Sequence, residues 1–240
     1  GDGPVKAAAI LIIGDEVLSG EVRDENGPWL VGRLTALGTR IERISTVRDR
    51  MADIVDELRR LRAHTDAVVV SGGIGPTHDD LTRPAVATAL GVPLERHPDA
   101  DAHVRRWYGA RTTDAELAMA DLPRGSRLLI GAKTTALGFF VSGVYVLPGV
   151  PFLLRDLIEG SGAEFAGPPL HRVEVSLSRR EGEIADALTR LQACALDTAI
   201  GSYPSVDPDG VWSTRIVVRS PDAARASAVA DQVRLAFGAR

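Results

Sequence analysis

The sequence predicts an α/β protein: an open, mostly parallel sheet covered by helices, followed by a smaller α+β unit. Three observations carry this. Ala7–Ile13 and Ala67–Val70 are unbroken apolar runs, the pattern of strands buried on both faces of a parallel sheet. Segments with helical periodicity alternate with these strands, giving a repeated β-α-β order. A stretch with three glycines and two prolines, Gly160–Pro169, then separates a second set of elements.

The elements follow in order. Gly14 ends the first strand, and a helix is expected at about Pro28–Leu37, where Gly38 is placed to terminate it. Arg40–Val47 reads as the second strand, with Ile41 and Ile44 facing inward. Ala52–Arg62 is amphipathic, carrying Ile54, Val55, Leu58 and Leu61 on one stripe, and leads into the strand Ala67–Val70. The helix Thr82–Leu90 begins at a residue whose hydroxyl suits a cap, with Pro84 in its first turn. Asp99–Ala120 is polar and helical, with Val104, Trp107 and Leu117 inward. Arg127–Ile130, Phe139–Val141 and Val144–Leu147 are short strands, the last two joined by a Ser142-Gly143 hairpin turn. Leu147-Pro148-Gly149-Val150-Pro151 is a rigid turn before a helix at Phe152–Glu159. Past the linker come strand Val173–Leu177, helix Gly182–Ala195, strands Ile200–Tyr203 and Trp212–Val218, and helix Ala223–Phe237. The domains are thus expected at residues 5–160 and 170–240.

Composition narrows the function. The chain has 240 residues, 45% of them hydrophobic and 25% charged, enough for a real core. Its net charge of −4 argues against a nucleic-acid binder, which needs a basic face. Arg59, Arg60 and Arg62 beside Glu57 read as a solvated helix face. A single cysteine, Cys194, excludes an internal disulfide and a cysteine-cluster zinc site, and its helical setting points to a buried structural thiol. No apolar run reaches about 18 residues and no signal peptide is evident, so no membrane partner and a cytoplasmic location are expected.

The most informative segment is Ser71-Gly72-Gly73-Ile74-Gly75-Pro76-Thr77-His78-Asp79-Asp80-Leu81-Thr82, between an apolar strand and a helix start. Glycines let the backbone approach an anion, and a helix N-terminus favours one by roughly 0.3–1 kcal/mol. Asp79 and Asp80 oppose this. A carboxylate about 4 Å from a phosphate oxygen is repelled by roughly 4 kcal/mol at an effective dielectric of 20. A bridging divalent cation reverses the sign, so the loop points to metal-assisted phosphoester chemistry. In an open parallel sheet ligands bind beyond the carboxyl ends of the strands, and all three such loops carry acids: Asp15 and Glu16, Asp49, and Asp79 with Asp80.

Other motifs fail. Gly131-Ala132-Lys133-Thr134-Thr135 lacks the glycine before lysine that a P-loop needs, and His78 breaks a dinucleotide fingerprint. The histidines show no ligand spacing. His64, His97, His103 and His171 read as surface or capping residues, with His78 the functional candidate. No serine sits in a nucleophile elbow.

The ordered set Gly14-Asp15-Glu16-Val17-Leu18-Ser19-Gly20, Asp24 and Asn26, Val47-Arg48-Asp49, Gly72–Thr82 and Leu147–Pro151 resembles the molybdopterin-binding, MoaB/MogA-like superfamily. Within it the chain is most similar to the CinA-type N-terminal domain, itself similar to the N-terminal part of eukaryotic FAD synthases. The resemblance covers most of Ala7–Glu159 and, more weakly, Glu181–Arg219, including Ile200–Ser205. It implies a three-layer α/β domain followed by a small KH-type unit, with a nucleotide or pterin over the sheet. Members bind molybdopterin, adenylate it, or hydrolyse the pyrophosphate of ADP-ribose or FAD with a divalent metal. With nothing after Arg240, the C-terminal amidohydrolase domain of full CinA proteins is expected to be absent.

Carried onto this sequence, the resemblance implies a pyrophosphatase. Asp49, Asp79 and Asp80 hold a metal (Mg, Mn or Co, at Asp49 and Asp80) or orient water. The amides of Gly72, Gly73 and Gly75 bind phosphate, Thr77 and Thr82 donate to it, and Asp15, Asn26, Pro148 and Gly149 complete the pocket. The alternatives are a molybdopterin-binding or adenylylating protein and an inactive binding module. Relatives of the bacterial type carry a segment resembling Asn-Pro-x-Gly-x-Ala-Pro-Gly-Phe where this chain has Ile130–Phe139, without the asparagine and both prolines. The implied partners are a small nucleotide or pterin and further copies of the chain, as a dimer or trimer.

Overall fold

The computed structural model describes residues 4–134 and 136–238 and separates into two compact units, Gly1–Gly167 and Pro168–Arg240. In the first, β1 (Ala7–Ile13) leads through one turn, α1 (Asp15–Leu18), to α2 (Asn26–Ala36). β2 (Arg40–Val47), α3 (Met51–Arg62), β3 (Ala67–Ser71) and α4 (Thr82–Leu90) continue the alternation. An excursion follows: β4 (Leu94–Arg96), α5 (Pro98–Tyr108), α6 (Asp114–Ala118) and β5 (Asp121–Pro123), with β4 and β5 paired antiparallel. The chain re-enters the sheet at β6 (Arg127–Ile130), β7 (Leu137–Val141) and β8 (Val144–Leu147), and α7 (Pro151–Gly160) closes the unit.

The six-stranded sheet has the order β2-β1-β3-β8-β7-β6, in which only β7 runs against the rest. Side chains on its strands alternate between two cores. Ala9, Leu11, Ile13, Val68, Val70 and Val146 pack with Ile54, Leu58 and Val86 of α3 and α4. Ala8, Ile10, Ile12, Val69 and Leu147 pack on the opposite face with Leu30, Leu34, Leu154 and Leu157 of α2 and α7. Two-sided burial is why β1 and β3 contain no polar alternation.

The second unit is a three-stranded antiparallel sheet, order β10-β11-β9, built from β9 (His171–Leu177), α8 (Glu181–Cys194), β10 (Ala199–Val206), β11 (Trp212–Ser220) and α9 (Ala223–Phe237). Ile184, Leu188 and Leu191 of α8 meet Val229, Ala230 and Val233 of α9 in its core.

Several expectations are corrected. Cys194 is exposed, because α8 ends there and Ala195 takes the next core position. Ile44 is exposed on the edge strand β2. α2 starts earlier than expected, and the carboxylate of Asp24, just ahead of it, accepts the N–H groups of Asn26 (3.0 Å) and Gly27 (2.9 Å), donors that have no partner within the helix. Residues Asp99–Ala120 break at Gly109 into α5 and α6, and the β4/β5 ribbon flanks them. The expected linker is partly structured: Gly162–Phe165 forms a helical turn whose Phe165 is fully buried in the first unit's core.

Candidate functional site

The loops after β1, β2, β3 and β8 meet at the carboxyl ends of the strands around a cleft of about 1190 Å³. Its floor is the loop Gly72–Thr77. Gly72 has φ +106° and Gly73 φ +66°, and a Cβ at Gly72 would lie 2.3 Å from the Ile13 carbonyl oxygen. Glycine is therefore required by the close passage of two loops as well as by the backbone angle. Thr82 locks the other side: its N–H donates to the Gly73 carbonyl (3.0 Å) and its hydroxyl to the Gly72 carbonyl (2.7 Å). The N–H groups of Gly73, Ile74 and Gly75 make no hydrogen bond among the described residues, and all three residues line the cleft. Consecutive free amides of this kind form an anion-binding concavity.

The rim is acidic. Glu16, Asp49, Asp79 and Asp80 line the cleft, and Lys133 is the one lysine or arginine among the described lining residues. Burial pushes the Asp49 carboxyl above its ordinary range, and the charges of Glu16, Asp15 and Asp79 push it further. The N–H of Asp15, donated at 2.8 Å, acts in the opposite direction. Asp79 is held below the usual carboxylate range, first by the Thr77 hydroxyl. Asp80 is turned inward: its Oδ2 accepts the Thr77 N–H (2.8 Å) and hydroxyl (2.5 Å), and its charge acts on the buried guanidinium of Arg83. Arg83 donates from Nη2 to the Gly75 carbonyl (3.1 Å) and from Nη1 to the Ala118 carbonyl, tying the loop to the end of α6.

The Pro148–Pro151 turn is held by Asn26. Its Nδ2 donates to the Gly149 carbonyl (2.7 Å) and to the Ser71 hydroxyl (3.0 Å), and a side chain at Gly149 would stand 3.5 Å from the Gly72 Cα. The Gly131–Thr134 loop wraps an anion of its own. The N–H groups of Lys133 and Thr134 and the Thr134 hydroxyl all donate to the Asp156 carboxylate, which lies below its ordinary pKa, first through that hydroxyl. Thr135 lies outside the described residues.

A glycine-rich loop with free amides, set at the carboxyl ends of a β2-β1-β3-β8 sheet between acidic loops, is accompanied by a family match. Residues 9–166 match the description "Probable molybdopterin binding domain". The chain belongs to that family. Residues 169–240 match a second description, "FAD synthase, middle domain". A CinA-like protein of Citrifermentans bemidjiense is 42% identical over 158 residues, covering 63% of this chain and 38% of the relative. One from Salinibacter ruber is 34% identical over 202 residues, covering 75% and 49%. The chain thus spans less than half the length of either. The crystal structure of the CinA protein of unknown function from Thermoplasma acidophilum is 33% identical and superposes with a TM-score of 0.63, covering 67% of this chain and 98% of that one.

Within this probable molybdopterin-binding domain the expected residues sort into three groups. Asp49, Asp79, Asp80, Gly72, Gly73, Gly75, Thr77, Pro148 and Gly149 line one cleft. Thr82 and Asn26 do not: Thr82 is fully buried with its hydroxyl spent on Gly72, so it closes the loop and neither caps α4 nor reaches a phosphate, and Asn26 supports the opposite turn. Asp15 gives its N–H to Asp49 while Glu16, its neighbour, lines the cleft. Trp107, expected inward, is 60% exposed on the cleft wall, with Tyr108 and Phe152 also exposed there. His103 lines the cleft too. Arg83 and these aromatics carried no signal in the sequence, because each takes its place only when the excursion and α7 close around the loop.

Proposed function

We propose that the domain hydrolyses the pyrophosphate of a nucleotide of the ADP-ribose or FAD class. The observation that carries the reading is the pairing, in one cleft, of three free amides at Gly73–Gly75 with four carboxylates, one of them, Asp49, raised in pKa. In this reading the amides take one phosphate and Lys133 the other. A water adds to phosphorus, the bridging P–O bond breaks, and the Asp49 carboxylate accepts the water's proton. A raised pKa brings a carboxylate closer to the working range of a general base.

Carboxylate oxygens suit a hard divalent cation, and the acidic rim needs one to admit an anion. Among the described residues no three His, Cys, Asp or Glu side chains converge as a ligand set. Asp49 with Asp79 or Asp80 would hold such a cation, which would supply charge neutralisation of the phosphates.

The second reading, binding or adenylylation of molybdopterin, is favoured by the description of the matched family. The same amides take the pterin's phosphate in it. The test is turnover of ADP-ribose and FAD, and binding of molybdopterin, by the purified protein with and without Mg²⁺, Mn²⁺ and Co²⁺. Metal-dependent release of AMP supports hydrolysis. Pterin binding without diphosphate turnover overturns it in favour of the second reading.

A further inference from the structure

Residues 1–167 contain eight aromatic side chains, and five of them, Trp29, Phe139, Phe140, Tyr145 and Phe165, are buried or half-buried in the two cores. The other three, Trp107, Tyr108 and Phe152, are exposed, and all three line the cleft of the Gly72–Thr77 loop. They come from two separate helices, α5 and α7. Isolated exposed apolar residues are ordinary on a protein surface, but every exposed aromatic of a unit converging on one concavity is not. Ile74, Met119, Leu137 and Val150 extend the same apolar lining.

We propose that Trp107, Tyr108 and Phe152 form a ring-stacking subsite that selects ligands in which a planar heteroaromatic ring is joined to a phosphate. The chemistry required is flat, apolar on its faces and attached to an anion, since the lining offers aromatic surface beside free amides. Adenine, isoalloxazine and pterin all satisfy it, and aromatic walls stack rings with little dependence on ring identity. Inorganic pyrophosphate and ribose 5-phosphate do not. Trp107, at the end of α5 and 60% exposed, is the more exposed of the α5 pair and is assigned as the main stacking partner. The proposal rests on the phosphate-loop reading above for the ligand's anionic end only.

The test is calorimetry of the full chain and of Trp107→Ala, Trp107→Phe and Phe152→Ala with AMP, FMN, neopterin phosphate, adenosine and inorganic pyrophosphate. These side chains are exposed, so melting temperatures are expected to hold. The expected result is a loss of about five- to a hundredfold in affinity for at least one ring-bearing phosphate in Trp107→Ala, near-recovery in Trp107→Phe, and unchanged pyrophosphate affinity. The ring compound that loses most identifies the ligand class. Equal affinities in wild type and Trp107→Ala for every ring compound, or no ring compound binding at all, overturn the proposal. A patch that instead joins two copies of the chain shifts the elution volume of Trp107→Ala without changing ligand affinity, which also overturns it. Adenosine binding without pyrophosphate binding leaves the subsite standing and removes the phosphate-loop reading.

Discussion

Replacing Arg83 by methionine tests whether the Gly72–Thr77 loop owes its shape to a buried guanidinium. Arg83 is 9% exposed, and burial depresses its pKa against the opposing charges of Asp80 and Asp121. Its Nη2 and Nη1 hold the carbonyls of Gly75 and Ala118, while Nε is buried without a partner. Methionine keeps much of the apolar stem and leaves both carbonyls unpaired. Hydrogen bonds to a charged group contribute about 1.5–3 kcal/mol each, and the relieved desolvation of the guanidinium offsets part of that. A net loss of about 3 kcal/mol follows, which in a unit of this size lowers the melting temperature by about 6–12 °C. Calorimetry at pH 7 reads it, with Arg83→Lys as the control, since an ammonium keeps the charge but cannot span two carbonyls as the planar fork does. A methionine variant melting within about 1 °C of wild type would refute the assignment. A lysine variant as stable as wild type would show that charge alone matters there.

Thr82→Val removes the hydroxyl that donates to the Gly72 carbonyl at 2.7 Å and leaves a buried acceptor unpaired, so stability falls by about 1–2 kcal/mol in urea denaturation; an unchanged midpoint refutes the loop-closing role. Asp49→Asn raises the melting temperature at pH 7, because a carboxyl whose folded pKa is raised destabilises the fold above that pKa and not below its unfolded value of 3.8. The gain therefore shrinks as pH falls towards 3.8, and turnover of a diphosphate is lost; a gain independent of pH contradicts the assignment. Asp80→Asn distinguishes a cation ligand from a repelling charge: calorimetry with pyrophosphate is expected to show weaker binding with Mg²⁺ and tighter binding with chelator, whereas tighter binding in both removes Asp80 from any metal site.

What the sequence made legible were features set by local rules. Two-sided burial wrote β1 and β3 as unbroken apolar runs, and the Ser142-Gly143 turn follows from the twist of β7 and β8. The cleft's floor was legible for a related reason, since glycines directly after a buried strand allow a close backbone approach. The limits were equally physical. Thr82 carries the residue type of a helix cap, yet the loop fold brings Gly72 and Gly73 back over it and claims both its donors. Trp107 falls on the helical stripe of Val104, but the excursion that holds α5 buries Val104 and leaves Trp107 on the cleft. Asp15 and Glu16 are indistinguishable as types, and only the turn of α1 decides that Asp15 presents its N–H to Asp49 while Glu16 lines the cleft. What decides them are contacts the sequence does not show, as between Thr82 and Gly72 or Asp49 and Asp15. The site's acids and glycines are therefore written in the sequence as an inventory. Their division into glycine-rich floor, acidic rim and supporting side chains is written only in the fold.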